Sequence, residues 1–324
     1  MVIDIHTHFH SKALEGKGGE IGPRFVTNAA GKTFWEIGDR RQGAPRWIYD
    51  LDERVKKMDE AGIDLQVLSN SPKWFLYNFI HKVSPETCIN FARLQNDDLA
   101  SAKKRFPGRF EAVATLPLVD MKASLKEFDR AIHDLGMKGV IIDSTIAGRG
   151  LDSEELFPLY EKLQESKCPM FVHPGFLPDK RIEQFGFRWM IGFAFDETYS
   201  MACLVFGGVL DRFPELKVVI THGGGATPFL LGRLIDGPLH REPVKSKYPF
   251  DHYLKRFYYD ACTYHAAPLK YLVSLVGFDN IMFGTNFPGS PDAAPTIINQ
   301  LQNVSDVDKK KMLSSNAKSV FGIA

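Results

Sequence analysis

Cysteine is scarce in this chain: four residues in 324, at Cys88, Cys168, Cys203 and Cys262. They stand far apart with no Cys-x-x-Cys pair, which argues against a zinc knuckle, a dithiol redox pair or a disulfide framework. Free, buried thiols in a reducing compartment are the simpler expectation. Net charge is almost absent too, since 40 Lys and Arg against 39 Asp and Glu leave a formal +1. With no basic stripe or charge block, nothing here resembles a nucleic-acid footprint. No uninterrupted apolar run reaches the roughly 20 residues needed to span a bilayer, so a membrane is not an expected partner. The first residues form an apolar run that already contains Asp4, unlike a signal peptide. A cytoplasmic protein is the expectation.

What is present is a sizeable potential core: 44% of residues are hydrophobic and 24% charged, as in soluble globular proteins. Short apolar runs at 2–6, 63–69, 110–116, 139–143, 169–173, 217–221, 256–261 and 280–284 read as strands. Helical patterns lie between them, near 50–61, 85–105, 121–136, 153–166, 195–213, 226–235, 265–276 and 291–302, with a last one near 306–317. Eight strands, each followed by a helix, predict an α/β fold, a (β/α)8 TIM barrel. Barrels of this kind use this much chain as one unit, so residues 1–324 read as a single domain. Local signals agree. Ser84 precedes Pro85 and Glu86, a cap followed by proline at the first helical position, and Gly62 and Gly136 follow helical stretches where a left-handed residue is wanted.

Two segments interrupt the repeat. Residues 9–48 form an insertion after strand one, in which Phe25-Val26-Thr27 and Thr33–Ile37 flank Asn28-Ala29-Ala30-Gly31-Lys32 and read as a β-hairpin. Residues 174–194, after strand five, are a lid-like loop rich in aromatics, including Phe185, Phe187 and Trp189. Both leave from the C-terminal ends of strands, where barrel enzymes carry their active-site loops.

Histidines gather at those same ends. His6 and His8 are two apart on strand one, hence on one face, and His173 and His222 close strands five and six. Three histidines and an oxygen ligand, with a position left for water, suit a catalytic metal. Such a metal lowers the pKa of bound water and polarises a substrate oxygen.

At this point the sequence resembles the amidohydrolase superfamily, in the aminocarboxymuconate-semialdehyde decarboxylase-like branch to which γ-resorcylate decarboxylase is related. The matching motifs are Asp4-Ile5-His6-Thr7-His8, Leu65-Gln66-Val67-Leu68-Ser69, Phe171-Val172-His173-Pro174, Gly207-Gly208-Val209, Phe213-Pro214, His222-Gly223-Gly224-Gly225-Ala226 with Pro228-Phe229, Gly232-Arg233 and Phe283-Gly284-Thr285-Asn286-Phe287-Pro288. Each is weak alone, but together and in order they cover nearly the whole chain. The resemblance implies His6, His8 and His173 as metal ligands and His222 as an acid/base beside the metal. It implies one divalent ion, zinc first and manganese second, because both tolerate His/carboxylate sites. Strand four, Gly139-Val140-Ile141-Ile142-Asp143-Ser144, ends without the lysine that two-metal members place there, which again gives one metal. A homodimer or higher homo-oligomer is implied as well.

The last ligand of the family is an aspartate ending strand eight, and here that position is Asn286. A carboxylate brings negative charge and can accept or return a proton, whereas an amide offers a metal only a neutral oxygen. An engineered Asp→Asn change and a natural variant of altered or lost activity both account for it. The otherwise intact site favours the first.

By resemblance, Arg241 holds an acidic substrate, in keeping with the fit of an arginine fork to a carboxylate. Trp35 stands where the semialdehyde decarboxylase carries a second arginine, with Arg40, Arg41 and Arg46 nearby. Together with Trp74, Phe75, Trp189 and Phe287, it suggests a flatter, more apolar pocket suited to an aromatic ring. Asp260, ending strand seven, either orients His222 or is a buried structural hydrogen-bonder. The expected activity is therefore non-oxidative decarboxylation of an aromatic or ring-cleavage-derived unsaturated acid. Metal-dependent hydrolysis or hydration is the alternative, and a catalytically dead binding protein the second alternative.

Overall fold

The structure, a computed structural model, describes residues 1–70, 76–175, 179–240, 243–287, 298, 301 and 303–324. β1 (Ile3–Phe9) opens the chain and is buried along its whole length. The insertion that follows carries β2 (Arg24–Thr27), β3 (Thr33–Ile37) and β4 (Arg40–Gly43). β2 and β3 form the expected antiparallel hairpin, with Thr27 opposite Thr33. β4 adds a third strand that hydrophobic patterning does not announce, since Arg40-Arg41-Gln42-Gly43 is polar throughout.

The remaining strands are parallel and central: β5 (Leu65–Asn70), β6 (Phe110–Ala112), β7 (Ala114–Thr115), β8 (Val140–Asp143), β9 (Met170–His173), β10 (Val218–Ile220), β11 (Phe257–Asp260) and β12 (Ile281–Met282). β1 pairs with β5 and β5 with β6, while β7 through β12 pair in sequence order. β6 and β7 are one strand broken at Val113, whose N–H donates to Leu68 O (3.0 Å) while Ala114 N donates to Gly139 O (2.8 Å). The last strand returns to the first through Ile5 N to Phe283 O (3.0 Å), His8 N to Phe287 O (2.7 Å) and Phe287 N to His6 O (3.1 Å). Eight parallel strand positions thus join edge to edge, as the alternating strand–helix pattern predicts.

Helices follow the strands: α1 (Leu51–Glu60), α2 (Pro85–Arg105), α3 (Met121–Asp129), α4 (Phe157–Glu165), α5 (Phe193–Phe206), α6 (Val209–Arg212), α7 (Thr227–His240) and α8 (Ala266–Val276). A terminal helical stretch runs over 306–321. α2 begins as its sequence asks, with Ser84 Oγ accepting from Thr87 N (3.1 Å) and basic residues in the last turn, where the helix dipole favours them. Gly62 and Gly136 have φ of 67° and 63°, the left-handed residues expected after α1 and after the helical stretch that begins with α3. The helix expected over 291–302 falls largely outside the described residues. Among the described residues, no helix is long and apolar enough to cross a membrane, and the cysteines are free.

Beneath the ring, helix α1 buries a charge. Arg54 donates from Nε to Gln66 Oε1 (2.7 Å) and from Nη1 to His8 O (2.9 Å), and its guanidinium lies 4.5 Å from the Phe287 ring centroid. Phe287 is itself fully buried with this guanidinium over its ring, and it is not among the residues lining the aromatic cavity beside His222, where the sequence places it. Arg54→Met should leave Gln66 Oε1 and His8 O without these donors and lower stability by about 3 kcal/mol. Urea unfolding checks this, and a loss under about 0.5 kcal/mol, the scale of an ordinary surface substitution, would show the pairing to be dispensable.

Candidate metal centre

β1 alternates its side chains, so His6 and His8 leave the same face, with ring centroids 5.2 Å apart. His173, at the end of β9, brings its ring to 5.1 Å from His6 and 4.8 Å from His8. His222 follows β10, and its ring lies 4.9 Å from His6. The four imidazoles predicted to meet from three strands do meet. Among the described residues, donor atoms of His6, His173 and His222 lie within 4.8 Å of one another, a group that takes in His222 where the sequence expects His8, whose ring packs against those of His6 and His173.

Close packing of backbone makes this possible. A Cβ on Gly284 would stand 2.9 Å from the Cβ atoms of both His6 and Asp260, so only glycine lets the seventh and eighth strands approach the first here. The chain then turns sharply through His222 and three glycines. A Cβ on Gly225 would lie 2.3 Å from Ala194 O, at a φ of +64° that already favours glycine.

Second partners fix each ring. His6 Nδ1 and Asp260 Oδ2 are 2.6 Å apart, and His173 Nδ1 donates to Pro174 O (2.9 Å). His8 Nδ1 lies 3.3 Å from Ser69 Oγ. The single Ser69 hydroxyl proton goes to Thr7 O (2.6 Å), so its oxygen accepts from His8 Nδ1–H. With Nδ1 protonated in each ring, Nε2 carries the lone pair. His6 Nε2 and His173 Nε2 are buried with no hydrogen-bond partner. Buried orphan acceptors on adjacent, anchored imidazoles are what a divalent cation requires. Burial pushes the pKa of all three rings down, well down for His8 and His173, keeping them neutral and able to donate.

His222 differs. Burial opposes its charge, but the Glu197 carboxylate, with Oε1 2.5 Å from His222 Nδ1, outweighs that and raises the pKa. Glu197 Oε1 also accepts from Thr221 Oγ1 (2.5 Å), and burial raises Glu197 to about 7. The sequence leaves Asp260 two roles, orienting His222 or serving as a buried structural hydrogen-bonder. The contacts assign the first to Glu197, because Asp260 spends Oδ2 on His6 and Oδ1 on the N–H groups of Gly223 (3.0 Å) and Cys262 (3.1 Å). The available signal was an acidic pair, Asp196-Glu197, inside α5, a helix whose two ends are apolar.

The raised Glu197 value gives a stability prediction. Glu197 and His222 titrate as a pair, and burial moves the Glu197 step from its ordinary 4.5 up to about 7. The associated stability is complete below pH 4.5 and lost as pH rises through about 7. Relative to Glu197→Gln, the unaltered metal-free protein should become progressively less stable across that window. Denaturant titrations at several pH values test this, and parallel curves would contradict it.

Asn286 half-faces the same space: its Nδ2 lies 3.2 Å from His222 Nε2 and donates to Tyr264 OH (2.8 Å). Trp189 stands with Phe193, His222, Phe229, Tyr264 and Tyr271 around an adjoining cavity of about 550 Å³. Trp35, by contrast, is only 1% exposed and packs on Phe25 and His10 in the small core under the hairpin. It is not among the residues lining that cavity, so the alternation of β3 turns it inward, to hold the insertion together. Trp74, Phe75 and Arg241 lie outside the described residues.

A family model described as "Amidohydrolase" matches residues 3–323. The chain belongs to the amidohydrolase family. It is 29% identical to a 2-amino-3-carboxymuconate-6-semialdehyde decarboxylase of Dictyostelium discoideum, over 99% of this chain and 91% of that one. It is 30% identical to a γ-resorcylate decarboxylase of a Polaromonas species, over 83% and 86%. In fold it superposes on an IDCase from Metarhizium anisopliae solved in apo form, with a TM-score of 0.87, 23% identity and coverage of 100% and 97%. A 5-carboxyvanillate decarboxylase from Novosphingobium aromaticivorans, solved as an Asp-to-Asn variant with bound manganese and a nitrobenzoic acid, gives 0.76 at 26% identity, over 86% and 82%.

Proposed function

We propose that this amidohydrolase-family chain is a metal-dependent, non-oxidative decarboxylase of an aromatic or otherwise unsaturated carboxylic acid. The observation that carries the reading is the pair of buried, partnerless Nε2 atoms on His6 and His173, each fixed from behind and each packed against His222, which lines an apolar cavity. His6, His8 and His173 would hold one divalent ion, zinc or manganese, with Asn286 as the oxygen ligand. The manganese in the 5-carboxyvanillate decarboxylase supports manganese as a candidate. Bound there, the ion supplies positive charge that draws a substrate oxygen and steadies the electron density left when the carboxylate departs.

The protein's own groups do the rest. In its protonated form, which Glu197 favours, His222 gives up the Asn286 N–H contact and delivers the Nε2 proton to the carbon that loses carbon dioxide. The aromatic rims at Trp189 and Phe193, with ring centroids 5.0 Å apart, cover one side of the cavity and exclude water. Arg241 would bind a substrate carboxylate. We read residues 1–324 as one domain working in the cytoplasm as a homodimer or higher homo-oligomer. Met190 and Phe229, which line the cavity, are exposed, as are Phe185 and Phe195 in the same stretch of chain as Met190, and these apolar residues support a covering subunit.

Carbon dioxide release from hydroxybenzoate-type acids by metal-loaded protein tests the reaction, because a hydrolase or hydratase releases none. Trp189→Ala should weaken binding of such an acid about tenfold, consistent with loss of an aromatic contact. Isothermal titration measures this, and unchanged affinity would remove Trp189 from the site.

A further inference from the structure

Seven non-glycine residues among those described have a positive φ: Ala147, Lys167, Phe185, His222, Tyr264, Asn286 and Asn303. Three of these seven touch one another. His222 (φ 47°), Tyr264 (φ 57°) and Asn286 (φ 55°) come from three separate loops after β10, β11 and β12. Their side chains meet at the mouth of the ring. Asparagine and histidine tolerate this conformation, but for a bulky tyrosine it is an outlier. Strained backbone of this kind persists where surrounding contacts over-determine it, typically at functional sites.

The contacts show what the strain achieves. Tyr264 lays its ring nearly parallel to that of His222, with centroids 6.3 Å apart at 18°. Its hydroxyl oxygen accepts from Asn286 Nδ2 at 2.8 Å, and the other hydrogen of the same amide faces His222 Nε2 at 3.2 Å. An asparagine side chain has two N–H donors and one carbonyl oxygen. Both donors are committed here, which leaves Oδ1 as the atom available to a cation.

We propose that Tyr264 is a positioning residue: its phenol fixes the rotation of the Asn286 amide, so that oxygen rather than nitrogen is presented to the metal centre, while its ring limits the swing of His222. No feature of the sequence around Thr263-Tyr264-His265 announces this. The inference rests on the metal-centre reading above and adds to it a residue from a different strand end.

The test compares Tyr264→Phe with the unaltered protein, since phenylalanine keeps the ring and removes only the hydroxyl. Metal-free protein is titrated with manganese and, separately, with cobalt. The expected result is about fivefold to tenfold weaker manganese affinity, the scale of one hydrogen bond, with an altered visible spectrum of the cobalt form and an unchanged Tm. In an Asn286→Ala background the same substitution should have no further effect, because Tyr264 acts through the amide. Equal affinity and an unaltered cobalt spectrum would overturn the proposal, and so would an equal loss in both backgrounds. Failure of the unaltered chain to bind either ion would overturn the metal-centre reading itself and this inference with it. Normal binding insensitive to Tyr264→Phe would defeat only the latter.

Discussion

Changing Asn286 to aspartate is expected to raise carbon dioxide release by about a hundredfold or more, the usual worth of a positioned acid–base group. The amide now donates to Tyr264 OH and faces His222 Nε2 with a second N–H. It can therefore accept no proton from His222 at that atom. A carboxylate in its place would accept from a protonated His222 and from the Tyr264 hydroxyl together, and would add a negative charge beside three neutral imidazoles. Metal affinity should rise alongside turnover. The measurement is the initial rate of product formation from a hydroxybenzoate-type acid, at matched metal content, for the two proteins. A rate that stays flat with metal fully bound would favour a binding protein on an enzyme scaffold.

Asp260 carries the second large effect. It is fully buried, and its interaction with His6 holds its pKa below the ordinary carboxylate range despite the opposing pull of burial. Its Oδ2 anchors His6, and its Oδ1 receives the backbone N–H groups of Gly223 and Cys262. One side chain thus sets the tautomer of a candidate ligand and the path of the loop that carries His222. Asp260→Asn preserves shape and removes the charge, and metal affinity should fall about 10–100-fold, the usual cost of losing such a partner. Competition against a chromophoric chelator reads this directly. Affinity within twofold of the unaltered protein would mean that His6 does not bind the ion through Nε2.

The strands were legible because parallel, doubly covered strands must be apolar on both faces, so runs such as Val140–Asp143 and Val218–Ile220 stand out without any periodicity. β4 was not legible, because an antiparallel strand added to a hairpin in an insertion carries no apolar requirement, and its four residues are polar or glycine. The histidines were legible because each ends an apolar run. Their partners were not. Whether Asp260 meets His6 or His222 depends on how closely β11, β12 and β1 pack, which Gly284 controls and no local pattern reveals. Glu197 and Tyr264 come from a helix and a loop whose approach to His222 is set only by the closed ring. Trp35 shows the converse error: a large aromatic in an active-site insertion reads as a pocket wall, yet alternation along β3 buries it with Ile37 in the insertion's own core.

The most direct measurement is an equilibrium titration of metal-free protein with manganese and with zinc, run beside His6→Ala and His173→Ala. One equivalent of ion bound by the unaltered chain, and lost in both variants, is the predicted result. Binding that survives removal of either imidazole, or no binding in the unaltered chain, would contradict the assignment of these rings as ligands and the chemistry built on it.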